Sequence, residues 1–215
     1  MSQRLPLVHV PQLQVDGPTE LDGGLTVYGP AQLNNIDLVA LVRKVPQVIQ
    51  RIVTGSTPGF GVGVSPSFQN IPQNFTDLEL TYTARDTSNG VGLVSLLMTM
   101  NTGASYYCAR LQSNGAASAT FEQVNQASGI CGLVTQGAAP LSNFFRSHGT
   151  ITIYDYTDAN QVQAWTYSSQ GTINSISGSI YQESGGGFTG FLGPITRIDL
   201  LLAPIAGCTF TLRGK

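Results

Sequence analysis

Charge is what this sequence has least of. Only 10% of its 215 residues are Asp, Glu, Lys or Arg, against roughly 25% in an ordinary soluble domain, so the surface has to be covered by uncharged polar side chains. The basic residues are scattered from Arg4 to Lys215 and the net charge is −2. No Lys/Arg cluster is present to meet a phosphate backbone or an anionic headgroup layer, so no nucleic-acid partner is expected. Long apolar runs are missing too. The longest, residues 91–100, is about half a bilayer span and is broken by Gly92 and Ser95, so no membrane insertion is expected. Residues 1–9 lack the continuous apolar core and small-residue cleavage site of a secretion signal, and the chain is expected to stay in the compartment where it is made.

Catalytic residue types are equally scarce. The two histidines, His9 and His148, belong to no HExxH motif, and no GxSxG or Cys-His signature occurs. Cys108, Cys131 and Cys208 form an odd set without CxxC spacing, which disfavours a metal site and reads as free buried thiols. Asp77, Glu79, Asp155 and Asp158 are the acidic residues that distant strands could bring together as a glycosidase pair; turn and surface roles are the competing reading. No cofactor and no enzymatic activity are expected.

What is present is punctuation. Gly and Pro recur between short apolar runs, the texture of a mainly β chain. Residues 1–12 form an arm whose short apolar run, with Leu5, Leu7, Val8 and Val10, is a candidate particle-attachment segment. Residues 13–35 carry a twelve-residue repeat in which Leu13/Leu25, Val15/Val27, Gly17/Gly29, Pro18/Pro30 and Leu21/Leu33 match. Each unit is a short strand too small to bury its own apolar edge, so a β-repeat shaft closed by several chains is expected; a hairpin packed on the main domain is the alternative. Over residues 36–53 the spacing of Leu38, Leu41, Val45, Val48 and Ile52 is that of a heptad seam, which predicts a short coiled-coil-like helical trimerisation segment, interrupted at Pro46. A single amphipathic helix lying on its own domain is the competing reading.

Residues 54–67 read as a linker, and Ser184-Gly-Gly-Gly-Phe-Thr-Gly190 as a flexible loop. Between residues 68 and 215 about eight strands alternate with turns, which predicts a β-sandwich, jelly-roll-like in type. In the hairpin around Asp158, pairing Thr157 with Gln161 puts Ile151, Ile153, Trp165 and Tyr167 on one face and Tyr154, Tyr156, Val162 and Ala164 on the other. The second face lacks an obvious intrachain partner, so Tyr154 and Tyr156 are expected at a contact between chains. Tyr106 and Tyr107 are candidate glycan contacts, with core or interface as the alternative.

Four places in the sequence carry a resemblance. They are Phe75-Thr-Asp-Leu-Glu-Leu80, the strand ending at Arg85; Met100-Asn-Thr-Gly-Ala-Ser-Tyr-Tyr107; the Phe144-Phe145 turn leading into Gly149-Thr-Ile-Thr-Ile-Tyr-Asp-Tyr156; and Ile195-Thr-Arg-Ile-Asp-Leu200 followed by Gly207-Cys-Thr-Phe-Thr-Leu-Arg-Gly214. In order and spacing the region resembles a C-terminal sandwich domain of tailed-bacteriophage virion proteins, including head fibres, decoration proteins and short tail fibres. The closing segment is shorter than the Gly-Ser turn and Leu-Tyr-Gly strand usual there. The resemblance implies a homotrimeric head fibre or capsid decoration protein, assembled in the host cytoplasm, docked by its N-terminus on capsid or other virion proteins and displaying the sandwich at the virion surface. A short tail fibre that recognises a host-surface glycan is the alternative. The family supplies no catalytic residues.

Overall fold

A computed structural model describes residues 32–33, 36–37, 46–87, 92–101, 103, 105–113, 118–136, 146–172 and 180–215. The chain divides into two compact units, Met1–Leu41 and Val42–Lys215. In the first, β1 (Gln32–Leu33) pairs antiparallel with β2 (Ile36–Asp37). The attachment-arm residues Leu5, Leu7, Val8 and Val10, most of the repeat, and the seam residues Leu38, Leu41 and Val45 lie outside the described residues.

The second unit is built from strands, with no helix among the described residues. They are β3 (Gln47–Val53), β4 (Ser67–Phe68), β5 (Leu78–Asp86), β6 (Leu93–Met100), β7 (Tyr106–Ser113), β8 (Ser118–Gln126), β9 (Gly129–Gln136), β10 (Ser147–Tyr154), β11 (Val162–Thr172), β12 (Ile180–Leu192), β13 (Ile198–Leu201) and β14 (Thr209–Gly214). All twelve belong to one open hydrogen-bonded sheet. One stretch runs β3-β14-β5-β10-β11-β12-β7-β8 and is antiparallel throughout; the other runs β4-β13-β6-β9. They join where the end of β5 pairs in parallel with β9, at Arg85↔Thr135 and Asp86↔Gln136.

Beyond that joint the sheet folds over. Adjacent strands are ~4.8 Å apart, so a strand three places along the order cannot touch in plane. Yet the Trp165 indole on β11 donates to the Ile130 carbonyl on β9 at 3.0 Å, and the Leu133 amide on β9 donates to Ser169 Oγ on β11 at 3.1 Å. The core lies between the two stretches. Leu78, Leu80, Tyr82, Ile151, Ile153, Trp165, Tyr167 and Phe210 fill it from one side, and Leu96, Met98, Met100, Val134 and Leu200 from the other. On the longer stretch alternation is clearest in β11. Along β11, Gln163, Trp165, Tyr167 and Ser169 are buried while Val162, Ala164, Thr166 and Ser168 are exposed, the period of two expected for a sheet with one wet face.

The 150–168 hairpin has the expected register. Ile153 pairs with Trp165 and Ile151 with Tyr167, the pairing that follows from placing Thr157 opposite Gln161. Four other expectations need correction. Within the expected helix, residues 47–53 form β3, laid along β14 with Phe210 opposite Ile52; the β-branched run of Val48, Ile49, Ile52 and Val53 after Pro46 suits a pleated strand. Residues 54–67 belong to the same unit as the strands: Thr54 N–H to Cys208 C=O (2.9 Å) and Gly63 N–H to Pro204 C=O (2.8 Å) tie them to it. The Ser184–Gly190 segment is not a loop but the middle of β12. Tyr156, expected at a contact between chains, is buried in its own core, its hydroxyl donating to the Pro72 carbonyl.

Candidate functional site

Because the inner face takes the bulky residues, the outer face of the five adjacent strands β5-β10-β11-β12-β7 is left with small polar ones, and the register sets them in rows. Thr81, Thr150, Ser168, Ser184 and Leu111 are consecutive cross-strand partners. One step along the strands, Thr83, His148, Gln170, Gln182 and Ser113 make the next row. In the other direction Glu79, Thr152, Thr166, Gly186 and Ala109 are aligned, and beyond them Tyr154, Ala164, Phe188 and Tyr107. A groove of about 600 Å³ opens over the first two rows, with Thr150, Ser168, Gln170, Gln182 and Ser184 in its lining.

One ionisable side chain, the exposed His148, faces the groove from the second row. Glu183 reaches the groove only from beneath: its side chain is fully buried, accepts from the Tyr167 hydroxyl at 2.9 Å and pairs with Arg110 at 3.3 Å, while Arg110 also donates to Ser95 Oγ at 2.8 Å. Burial pushes the Glu183 carboxyl above its ordinary range, and the Tyr167 hydroxyl and Arg110 pull it partly back. Burial and the neighbouring Glu183 push the Tyr167 phenol far upward, so it stays neutral as a donor. Glu79, at one edge, is paired with Lys215 and, at 3.8 Å, with Arg213. Among the described residues the side chains of Thr150, Ser168, Gln170, Gln182 and Ser184 have no protein hydrogen-bond partner, and each faces the groove or solvent.

An aromatic edge borders these rows. Tyr107 and Phe188 stack with ring centroids 4.8 Å apart and planes 17° from parallel, and Tyr154, across the small Ala164, shares a 2.8 Å hydrogen bond with Thr166. Phe188 is 45% and Tyr154 39% exposed.

The structure separates the two sequence-predicted glycan contacts. Tyr107 lies on the outer face, but Tyr106 is buried, packed edge-on against Trp165 and Phe191, with its hydroxyl bonded to the Met100 backbone. Adjacent strand residues point to opposite faces, so both could not serve one surface. Of the expected seam, Ile52 is buried in the core and Val48 projects from β3, 59% exposed. Three of the four acidic candidates are committed to structure. Asp77 accepts the Asp155 amide (3.0 Å), Asp158 accepts the Asn160 amide (2.8 Å), and Glu79 holds its ion pairs. Sequence reading missed Phe188, Gln182 and Ser184, because the glycine run beside them reads as a loop. The alternation Gln182/Ser184 against buried Glu183 was the available signal.

The three cysteines are buried. The Cys108 thiol sulfur accepts the Ile130 amide, the Cys131 thiol donates to the Leu96 carbonyl, Cys208 is bonded to the Arg85 backbone, and burial raises all three thiol pKa values. Among the described residues no three His, Cys, Asp or Glu side chains cluster to hold a metal. The arrangement can therefore bind through side-chain hydrogen bonds and ring faces. Comparison with known proteins returns no matching family model, curated protein or solved structure.

Proposed function

We propose that the chain is a non-enzymatic structural protein of a tailed-phage particle, a homotrimeric head fibre or capsid decoration protein that docks through residues 1–12 and displays the β unit at the virion surface. One observation carries this reading: the segments that resemble such proteins, far apart in sequence, are hydrogen-bonded to one another. β5 lies between β10 and β14, and Met100 at the end of β6 pairs with Ile198 on β13. Asn101 locks the latter contact, its amide Oδ1 accepting Thr196 N–H and Arg197 N–H at 2.8 and 3.0 Å. The sheet folded over a single core is read here as a jelly-roll-like sandwich. Trimer contacts are assigned to the N-terminal unit and to Val48 on the edge strand β3, and Ile52 and Tyr156, both buried in the core, are withdrawn from them.

Light scattering tests the assembly: a particle of three chains is expected, and a stable monomer at micromolar concentration overturns it. Purified protein incubated with host capsule or lipopolysaccharide is expected to leave the polymer intact. Release of oligosaccharide that stops on changing one acidic residue would overturn the non-enzymatic reading.

A further inference from the structure

We propose that the outer face of β5-β10-β11-β12-β7 is a binding site for an extended, uncharged oligosaccharide, laid along the strands from the Tyr154/Phe188 row to the Gln170/Gln182 row. This goes beyond the virion assignment and holds wherever the protein resides, because it rests on the chemistry of the face alone.

Length comes first. The two rows are six residues apart along each strand, ~20 Å at 3.3 Å per residue, which suits a chain rather than a single sugar. Charge comes next. An anionic ligand would need a free cation, but among the described residues Arg110 is engaged beneath the face with Glu183 and Ser95 and Arg213 and Lys215 are held at its edge by Glu79, which leaves the exposed His148, an imidazole whose ring nitrogens also suit hydrogen bonds to hydroxyls. A cationic ligand would need a free carboxylate, and Glu183 is turned inward to Tyr167 and Arg110. An apolar ligand would desolvate the Thr150, Ser168 and Ser184 hydroxyls and the paired Gln170 and Gln182 amides without replacing their hydrogen bonds with water.

A polyhydroxylated chain answers each of these conditions. Its hydroxyls donate and accept in turn, as Ser, Thr and Gln side chains require. Its C–H faces fit aromatic rings, and the stacked Tyr107–Phe188 pair together with Tyr154 supplies them at one end. Ala164 and Gly186 keep the floor low between the flanking residues, so a ligand can reach the backbone level of the sheet.

The experiment uses the full-length protein and residue-resolved NMR with three neutral probes, maltohexaose, cellohexaose and chitohexaose, each at ~10 mM, enough to populate even a millimolar complex. At least one hexasaccharide is expected to shift the amides of Thr150, Ser168, Gln182 and Ser184. It should bind roughly tenfold more tightly than its monosaccharide, and by less than about twofold differently between ~0.05 and ~0.5 M salt, as for an interaction without ion pairs. Ser168→Arg, at an exposed position, is expected to weaken binding by roughly tenfold or more while circular dichroism shows the fold retained; Gln182→Ala provides a milder second variant with the same expected direction. Absence of shifts with all three hexasaccharides, shifts confined to another surface, or unaltered binding by both variants overturns the proposal. A trimer that binds none of these probes overturns this site alone and leaves the virion reading standing.

Discussion

Tyr82 illustrates how tightly single residues are determined. A Cβ built on Gly149 would lie 2.7 Å from its ring, and one on Gly132 2.2 Å from its hydroxyl, while that hydroxyl donates to the Leu133 carbonyl at 3.0 Å. The two glycines leave the space that the ring occupies. Gly149→Ala is expected to destabilise the protein by about 1–3 kcal/mol through overpacking, measured as a lower urea midpoint with unchanged slope. Glu183 makes a different prediction. Its folded-state pKa is raised above the ordinary 4.5, so the folded state holds the proton more tightly than the unfolded chain. The associated stability is therefore fully present below the ordinary carboxylate range and is lost as pH rises through the raised value. Stability of the native protein should fall across that window, and Glu183→Gln, which can still accept from Tyr167, should flatten the profile in thermal melts at graded pH.

At the scale of elements, β3 and β12 carry the lesson. Val48 and Ile52 fall on a heptad spacing, but a helix there would leave the outer edge of β14 unpaired. The ladder from Thr209↔Val53 to Gly214↔Gln47 takes that edge instead. Ile52→Ala is expected to cost about 2–4 kcal/mol by opening a cavity against Phe210, whereas Val48→Asp should change chain stability by less than about 0.5 kcal/mol; paired denaturation curves check both. β12 passes three consecutive glycines, and the reason is visible at Gly187, where a Cβ would meet the Tyr107 carbonyl at 2.1 Å and Trp165 at 2.7 Å. Those residues are small because the neighbouring strand and the indole come close, a circumstance that no local pattern announces.

For the whole molecule, the division after Leu41 sets the prediction. A chain beginning at Val42 contains every strand from β3 to β14 and the whole described core. It is expected to fold, with a far-ultraviolet β spectrum and a cooperative melt, yet to be monomeric by light scattering, since the proposed trimer contacts lie chiefly in the unit removed. A truncated chain that still assembles into trimers would move those contacts to the β unit.

The sequence by itself determined the mainly β class, eight of the strands, the register of the 150–168 hairpin and the burial of the three cysteines, because each follows from short-range alternation or composition. The tertiary structure alone decided that residues 47–53 are a strand, since their partner β14 lies more than 150 residues away in sequence. It also decided that β9, buried along nearly its whole length and so without alternation, is a strand lying over β11. The face of the groove was beyond sequence for the same reason. Its rows join residues from five strands, and only the pairing register, set by burial on the opposite side of the sheet, brings their hydroxyls and amides onto one surface.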